Sequence, residues 1–252
     1  MYCLKFLLKG KHAFFKYPNF NIINFTYSHI HKPALLGLLG AIVGYNGYRS
    51  ISEDDVYPEY YKKLKNLKIS IAPKSERFIK TYYTFNNTSG TACNTKRIEN
   101  LVTTFQILEN VQWDIYILDD GSNVYNILKN RMLMSESVFT PYLGNNSFLA
   151  TIENVEVINI EELNKSEGRI ISLVEEDNIS IREAKKDMLL ENINEYFYVF
   201  SLPKELDNDL LYKTSQYILT NKKANIISNV DYFKVSGVDI LKDINSVLYE
   251  LY

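Results

Sequence analysis

Between Lys9 and Tyr48 the chain reads KGKHAFFKYPNFNIINFTYSHIHKPALLGLLGAIVGYNGY, a stretch with no acidic residue that holds all three histidines. A basic and aromatic strand-like run (Lys11, His12, Phe14, Phe15, Lys16) leads into a polar loop with Tyr27, His29, His31 and Lys32. Pro33 then opens an apolar helix over 34–43, because proline suits the first helical position, where no N–H partner is needed. Gly40 and Gly44 are spaced to share a helix face, so another backbone is expected to approach closely there.

With 252 residues and 46% hydrophobic content, the chain can bury a substantial core. Its net charge of -2 conceals a split. Residues 1–100 carry 15 Lys and Arg against 6 Asp and Glu, whereas 101–252 carry 13 against 24. A basic amino-terminal half offers a face to a polyanion, the acidic remainder one to solvent or a basic partner. Cys3 and Cys93 are too few for a disulfide framework or a metal cluster, which points to a reducing compartment. The opening MYCLKFLLKG is interrupted by Lys5 and Lys9, and no apolar run approaches the ~20 residues of a membrane span. A cytoplasmic protein without a membrane partner is expected.

Along the chain, alternating apolar residues predict strands over 2–8, 65–72, 112–118 and 148–158. A second helix is predicted after Asp120-Gly121-Ser122, with Ser122 as its cap. Past Glu161, strands are expected over 168–174 and 196–202, a helix over 181–192, and a hairpin turning at Ser236-Gly237.

Three stretches resemble the Cas-five family of CRISPR-associated RAMP proteins, particularly its type I-B form. The first is Gly10-Lys11-His12-Ala13-Phe14-Phe15-Lys16 followed by Phe25-Thr26-Tyr27 and PALLGLLGAIVGY, the second is RFIKTYYTFNNTSGTACNTKRIENLVTTFQILEN, and the third is FTPYLGNNSFLA. The resemblance implies a subunit that holds the 5′ handle of CRISPR RNA inside Cascade. It implies contacts with the repeating backbone subunit and with the large subunit, and access to target DNA through the complex. Lys9, Lys11, His12, Lys16, Tyr27, His29, His31 and Lys32 would line the handle site. The element order fits an α+β fold: a ferredoxin-like (RRM-like) RAMP domain over 1–160, carrying an inserted long β-hairpin over 76–110. A β-rich carboxy-terminal lobe over 161–252 would pack on it.

The hairpin mixes basic, aromatic and small polar residues: Arg77, Lys80, Tyr82, Tyr83, Asn86 and Asn87, then Lys96 and Arg97. Cations meet phosphates, aromatic rings meet bases, and asparagines reach base edges or the 2′-OH. A solvated surface hairpin fits the same composition. The His29/His31 pair lacks the further ligands a zinc site needs, and no Walker A pattern occurs, so neither metal nor cofactor is expected. Relatives of type I-C cleave repeat RNA with a tyrosine and a Lys-His pair. Here Lys96-Arg97 stands where that pair would be sought, and no histidine follows His31. A noncatalytic RNA cap is therefore expected, with a repeat endoribonuclease using His12, His29 or His31, or a general single-stranded RNA module, as the alternatives.

Overall fold

A computed structural model of the protein describes residues 1–19, 23–52, 55–88, 100–163, 167–170, 172–181, 195–226, 231–235, 238–242 and 247–250. The first 160 residues contain β1 (Tyr2–Ala13), β2 (Ile23–Asn24), α1 (Lys32–Val43), α2 (Glu59–Leu64), β3 (Ile69–Pro73), β4 (Ile79–Thr88), β5 (Asn100–Leu118), α3 (Asn123–Leu133) and β6 (Thr151–Asn159). Beyond them the described strands are β7 (Glu161–Leu163), β8 (Glu167–Ile170), β9 (Val174–Glu175), β10 (Ile179–Ile181), β11 (Phe197–Leu206), β12 (Tyr212–Thr220), β13 (Lys223–Ile226), β14 (Asp231–Val235), β15 (Val238–Lys242) and β16 (Val247–Glu250), with a 3-10 turn at Glu176–Asn178. The protein is thus α+β, rich in strands and with few helices among the described residues. The helix expected over 181–192 lies almost wholly outside them.

The first sheet is organised on β5. Its carboxy-terminal half pairs with β3, from Ile69 opposite Ile117 to Pro73 opposite Trp113, and its amino-terminal half pairs with β4, from Ile79 opposite Glu109 to Thr88 opposite Asn100. On its other edge lies antiparallel β1, which pairs in turn with β6. The order across the sheet is therefore β3-β5-β1-β6, every neighbour antiparallel, with α1 and α2 crossing from β1 to β3 and α3 crossing from β5 to β6. Leu4, Phe6 and Leu8 of β1 and Trp113, Ile115 and Ile117 of β5 are fully buried beneath these helices, as the period of two requires. The buried phase of β5 then shifts: Val111 is inward, but so is Leu108. Between them Asn110 has a φ of 51°, a left-handed conformation that asparagine tolerates, while the register with β1 continues unbroken from Gly10 opposite Val111 to His12 opposite Glu109.

Both principal helices start where their caps dictate. His31 Nδ1 accepts a hydrogen bond from the Ala34 N–H at 3.3 Å, and Ser122 Oγ accepts from the Tyr125 N–H at 3.1 Å. Helix α1 is apolar nearly all round, and Leu35, Leu36, Leu39 and Ile42 are fully buried. Its glycines divide in a way the spacing did not suggest. Gly44 is the left-handed C-cap, at φ 88° against Val138, rather than part of a packing face. Gly40 receives α2: a Cβ there would lie 2.5 Å from Tyr60 Cβ.

The apolar core continues without a break into the carboxy-terminal strands through Leu173, Leu202, Leu206, Tyr217 and Leu219. Two hydrogen bonds fasten the same junction: Leu173 N–H to the Ile71 carbonyl at 3.0 Å, and Leu206 N–H to Tyr61 Oη at 2.8 Å. Strands β11, β12 and β9 form one small sheet, and β10-β13-β8-β16-β15-β14-β7 form another.

Substitutions at the two helix glycines should move stability in opposite directions. Gly40→Ala gains about 1 kcal/mol of helix propensity but forces a methyl into an atom anchored on α2, and overpacking of about 1–3 kcal/mol should win. The melting temperature should fall by roughly 2–8 °C. At Gly37 the nearest atom to an added Cβ is 3.8 Å away, an ordinary contact. Gly37→Ala should therefore raise the melting temperature by about 2–4 °C. Calorimetry of the two variants beside the parent checks both signs.

Candidate nucleic-acid interface

The phase shift at Asn110 carries one face of the sheet out onto the β4/β5 hairpin. There Tyr83 stands opposite Phe105 and Phe85 opposite Thr103, and His12 of β1 stands opposite Glu109. The side chains meet edge to face: His12 and Tyr83 at 5.7 Å between ring centroids, Phe14 and Phe105 at 5.2 Å, Phe85 and Phe105 at 5.4 Å. The stretch FTPYLGNNSFLA folds back to close this end. Leu143 accepts from the Phe14 N–H at 3.0 Å, and Phe148 lies 5.5 Å from His12. Gly144 is required in that turn, since its φ is 79° and a Cβ would run into the Phe14 carbonyl. Tyr83 and Phe85 remain exposed on this face, whereas Lys11, also exposed, is the residue of β1 before His12 and alternates to the other face. The Tyr83 hydroxyl donates to Glu109 at 3.2 Å.

The opposite face of the hairpin carries Lys80, Tyr82 and Asn86, all exposed. Gln106 Nε2 donates to the Tyr82 hydroxyl at 3.0 Å. Lys80 keeps an exposed side chain while the surrounding protein withdraws enough water from its ammonium to lower its pKa. Arg77, exposed at the foot of the hairpin, sits over the Tyr198 ring at 5.5 Å. Asn87 is placed opposite Leu101 by the backbone register, and Lys96 and Arg97 lie outside the described residues.

The amino-terminal set divides. Lys11 and Lys16 are exposed, and Lys32 is half-buried as the first residue of α1. Lys9 points along the sheet to Glu153, with 2.7 Å between the charges, just as Lys5 pairs with Glu156 at 2.8 Å. These pairs neutralise the open sheet face beside β6, so Lys9 is not a free cation for phosphate. Tyr27, His29 and His31 correct the expectation more sharply: all three are buried, at 2%, 1% and 3% exposure, and do not line a surface. Tyr27 stacks against Tyr17, and His31 lies between Phe15, Tyr27 and Tyr212 while capping α1. His29 is wedged between Phe78 and Phe200, with neither ring nitrogen hydrogen-bonded. Burial pushes the pKa of both histidines down to about 3, helped at His29 by the charge of Lys80. His12 is thus the accessible histidine. No group of three or more His, Cys, Asp or Glu able to hold a metal occurs among the described residues, and no helix among them is long and apolar enough to cross a membrane.

The aromatic cluster assembled from Phe14, Phe105 and Phe148 is hidden in sequence because it depends on the left-handed backbone at Asn110 and on the fold-back of the 139–150 turn. The Tyr196, Tyr198 and Phe200 run left a trace, three aromatics at alternate positions of a strand, that was read only as β structure.

These features are those of a strand-rich α+β protein with an aromatic and basic hairpin face. The family model described as "CRISPR-associated protein (Cas_Cas5)" matches residues 3–215, and the chain belongs to that family. Among solved structures, a CRISPR protein from Archaeoglobus fulgidus is similar over 100% of both chains, at 9% identity and a TM-score of 0.50. A chain of a CRISPR RNA-guided surveillance complex is similar over 87% of this chain and 90% of its own, at 13% identity and a TM-score of 0.52. A chain of a type III-B Cmr-beta complex bound to cognate target RNA and AMPPnP is similar over 90% and 86%, at 10% identity and a TM-score of 0.50. At these identities the likeness is one of fold. No curated protein matches in sequence.

The buried histidines make stability depend on acid. A histidine whose folded pKa lies near 3 and whose unfolded pKa lies near 6.5 binds more protons when unfolded, so stability is lost as pH falls between those values. The slope should approach about 1.4 kcal/mol per pH unit for each histidine. His29→Leu removes two unpaired buried nitrogens, and should hold or raise stability at pH 7.5 while roughly halving the loss on going to pH 5. Urea midpoints at the two pH values for parent and variant measure this. His31→Leu, which also removes the α1 cap, should cost about 1 kcal/mol at pH 7.5.

Proposed function

We propose that the chain is a noncatalytic CRISPR RNA-binding subunit of a type I-B Cascade complex, holding the 5′ handle and capping the backbone of the complex in antiviral defence. The observation that carries this reading is the aromatic face of the β4/β5 hairpin, open at Tyr83 and Phe85 with His12 against it, in a chain of this CRISPR-associated family. Rings take the bases of a single strand in sequence-tolerant stacking, and lysines take its phosphates. The strand order β3-β5-β1-β6 with two helical crossovers supports a ferredoxin-like domain over 1–160, in which the 76–110 hairpin is the insertion. The backbone subunit and the large subunit are the partners this reading implies, in a cytoplasmic complex that reaches target DNA through them.

Absence of cleavage belongs to the proposal. Of the three histidines, His29 and His31 are buried and held neutral, leaving only His12 to serve as general acid or base. The endoribonuclease alternative therefore rests on His12 with Tyr83 or Glu109 beside it.

Labelled repeat RNA incubated with the full chain in chelator should be bound and recovered intact. Products that disappear with His12→Ala would overturn the noncatalytic assignment. Replacing Lys11 and Lys16 by alanine should leave the melting temperature nearly unchanged and lower the slope of log affinity against log salt by about 0.7 per lost phosphate contact. Replacing Lys96 and Arg97 should do the same if the hairpin tip meets RNA, whereas an unchanged slope assigns the tip to protein contacts. Co-purification with the other Cascade subunits separates this role from that of a general single-stranded RNA module.

A further inference from the structure

Across the junction between the hairpin foot and β11, three aromatic side chains at alternate positions form a ladder. Tyr196 and Tyr198 are stacked at 5.7 Å with 23° between their planes, and Tyr198 and Phe200 are 6.2 Å apart at 34°. All three are half-buried, and Phe200 rests on His29. The Arg77 guanidinium lies over the middle ring, 5.5 Å from its centroid, within the range of a cation–π contact. None of the three rings entered the expected site, and Arg77 was expected there as a phosphate contact.

The spacing decides what such a ladder can hold. A base inserted between two rings needs about twice the ~3.4 Å stacking distance, so rungs 5.7 Å apart admit none. The free surface is instead the exposed Arg77 guanidinium, which lies over Tyr198. Charge orients whatever binds there. Glu76 raises the pKa of Tyr196 in addition to burial, which marks that end as acidic, while Lys80 lies toward Phe200 and His29. A phosphate is drawn to the Lys80 end.

We propose that the pair Arg77–Tyr198 is a seat for one unpaired nucleobase of a single-stranded RNA, with the base stacked on the guanidinium and the adjoining phosphate at Lys80. Tyr198 is a positioning residue whose ring face holds the guanidinium in place. The inference rests on the RNA-binding reading above, and adds to it a contact outside the hairpin face. Guanidinium planes stack on bases whereas an ammonium does not, so the plane and the charge can be separated by Arg77→Lys.

The test measures binding of the full chain to two fluorescein-labelled decamers, decaadenylate and an abasic ribose-phosphate decamer of equal charge. Arg77→Lys should weaken decaadenylate binding about fivefold or more, leave its salt slope unchanged, and leave the abasic decamer unaffected. Tyr198→Leu, which keeps an apolar side chain, should give a similar base-dependent loss, and Phe197→Ala on the opposite face of β11 should give none. If Arg77→Lys binds both decamers like the parent, the residue is at most a charge or is unused, and the seat is overturned while RNA binding stands. Equal losses for both decamers with Arg77→Lys or Tyr198→Leu would overturn it as a structural effect. If the parent binds neither decamer, this inference and the RNA-binding reading fall together.

Discussion

Strand β5 is the constraint on which the first sheet depends. Over 19 residues it forms the ladder for β1, β3 and β4 and a short parallel contact with β2, so no other element of the sheet can shift register independently. A single period-two strand of that length would put the same face inward from end to end. The left-handed turn of the backbone at Asn110 breaks the phase, keeping Trp113, Ile115 and Ile117 under the helices while Leu108 still reaches the core beyond it. The gain is a long hairpin whose outer face carries rings rather than the charges of the sheet below. The hairpin rings Tyr83, Phe85 and Phe105 meet His12, and through it Phe148, only because the strand turns there.

Much of the architecture was legible because it rests on local rules. Pro33 and the apolar run after it placed α1, Ser122 placed α3, and alternation in QWDIYIL placed the central part of β5. The mixed basic and aromatic run after Arg77 marked the hairpin for the same reason: strand alternation survives in it even where burial does not. What failed was inference from proximity in sequence. Tyr27, His29 and His31 follow a basic strand and precede a helix, so they looked like a loop over the site, yet the 23–32 segment packs inward. The aromatic neighbours that bury these residues, Phe78, Phe200 and Tyr212, come from distant parts of the chain and leave no local signal.

The same limit applies to charge. Counting lysines made the amino-terminal strand uniformly basic, but β6 returns antiparallel beside it with Glu153 and Glu156 opposite the sheet-facing lysines. Exposed pairs of this kind add little stability, about 0–1 kcal/mol each. Their effect is on the field: they cancel the positive potential over the lower sheet and leave cations concentrated at Lys11, Lys16, Arg77 and Lys80. The charge asymmetry of the whole chain is thus resolved locally, with acid from the second half set against part of the base from the first.

That redistribution bears on how the protein would hold a polyanion. Exposed cations such as Lys11, Lys16, Arg77 and Lys80 contribute an attraction that physiological salt screens over about 8 Å. Rings stand among them, however: Tyr83 and Phe85 are exposed on the hairpin, and Arg77 lies over Tyr198. Stacking contributes about 1–3 kcal/mol per base and is far less sensitive to salt than phosphate contacts are. A strand gripped this way is held mainly through unpaired bases, so a duplex of equal charge, with its bases stacked inside, has little to offer these surfaces. On the RNA-binding reading, preference for single strands would then follow from the supply of exposed aromatic rings.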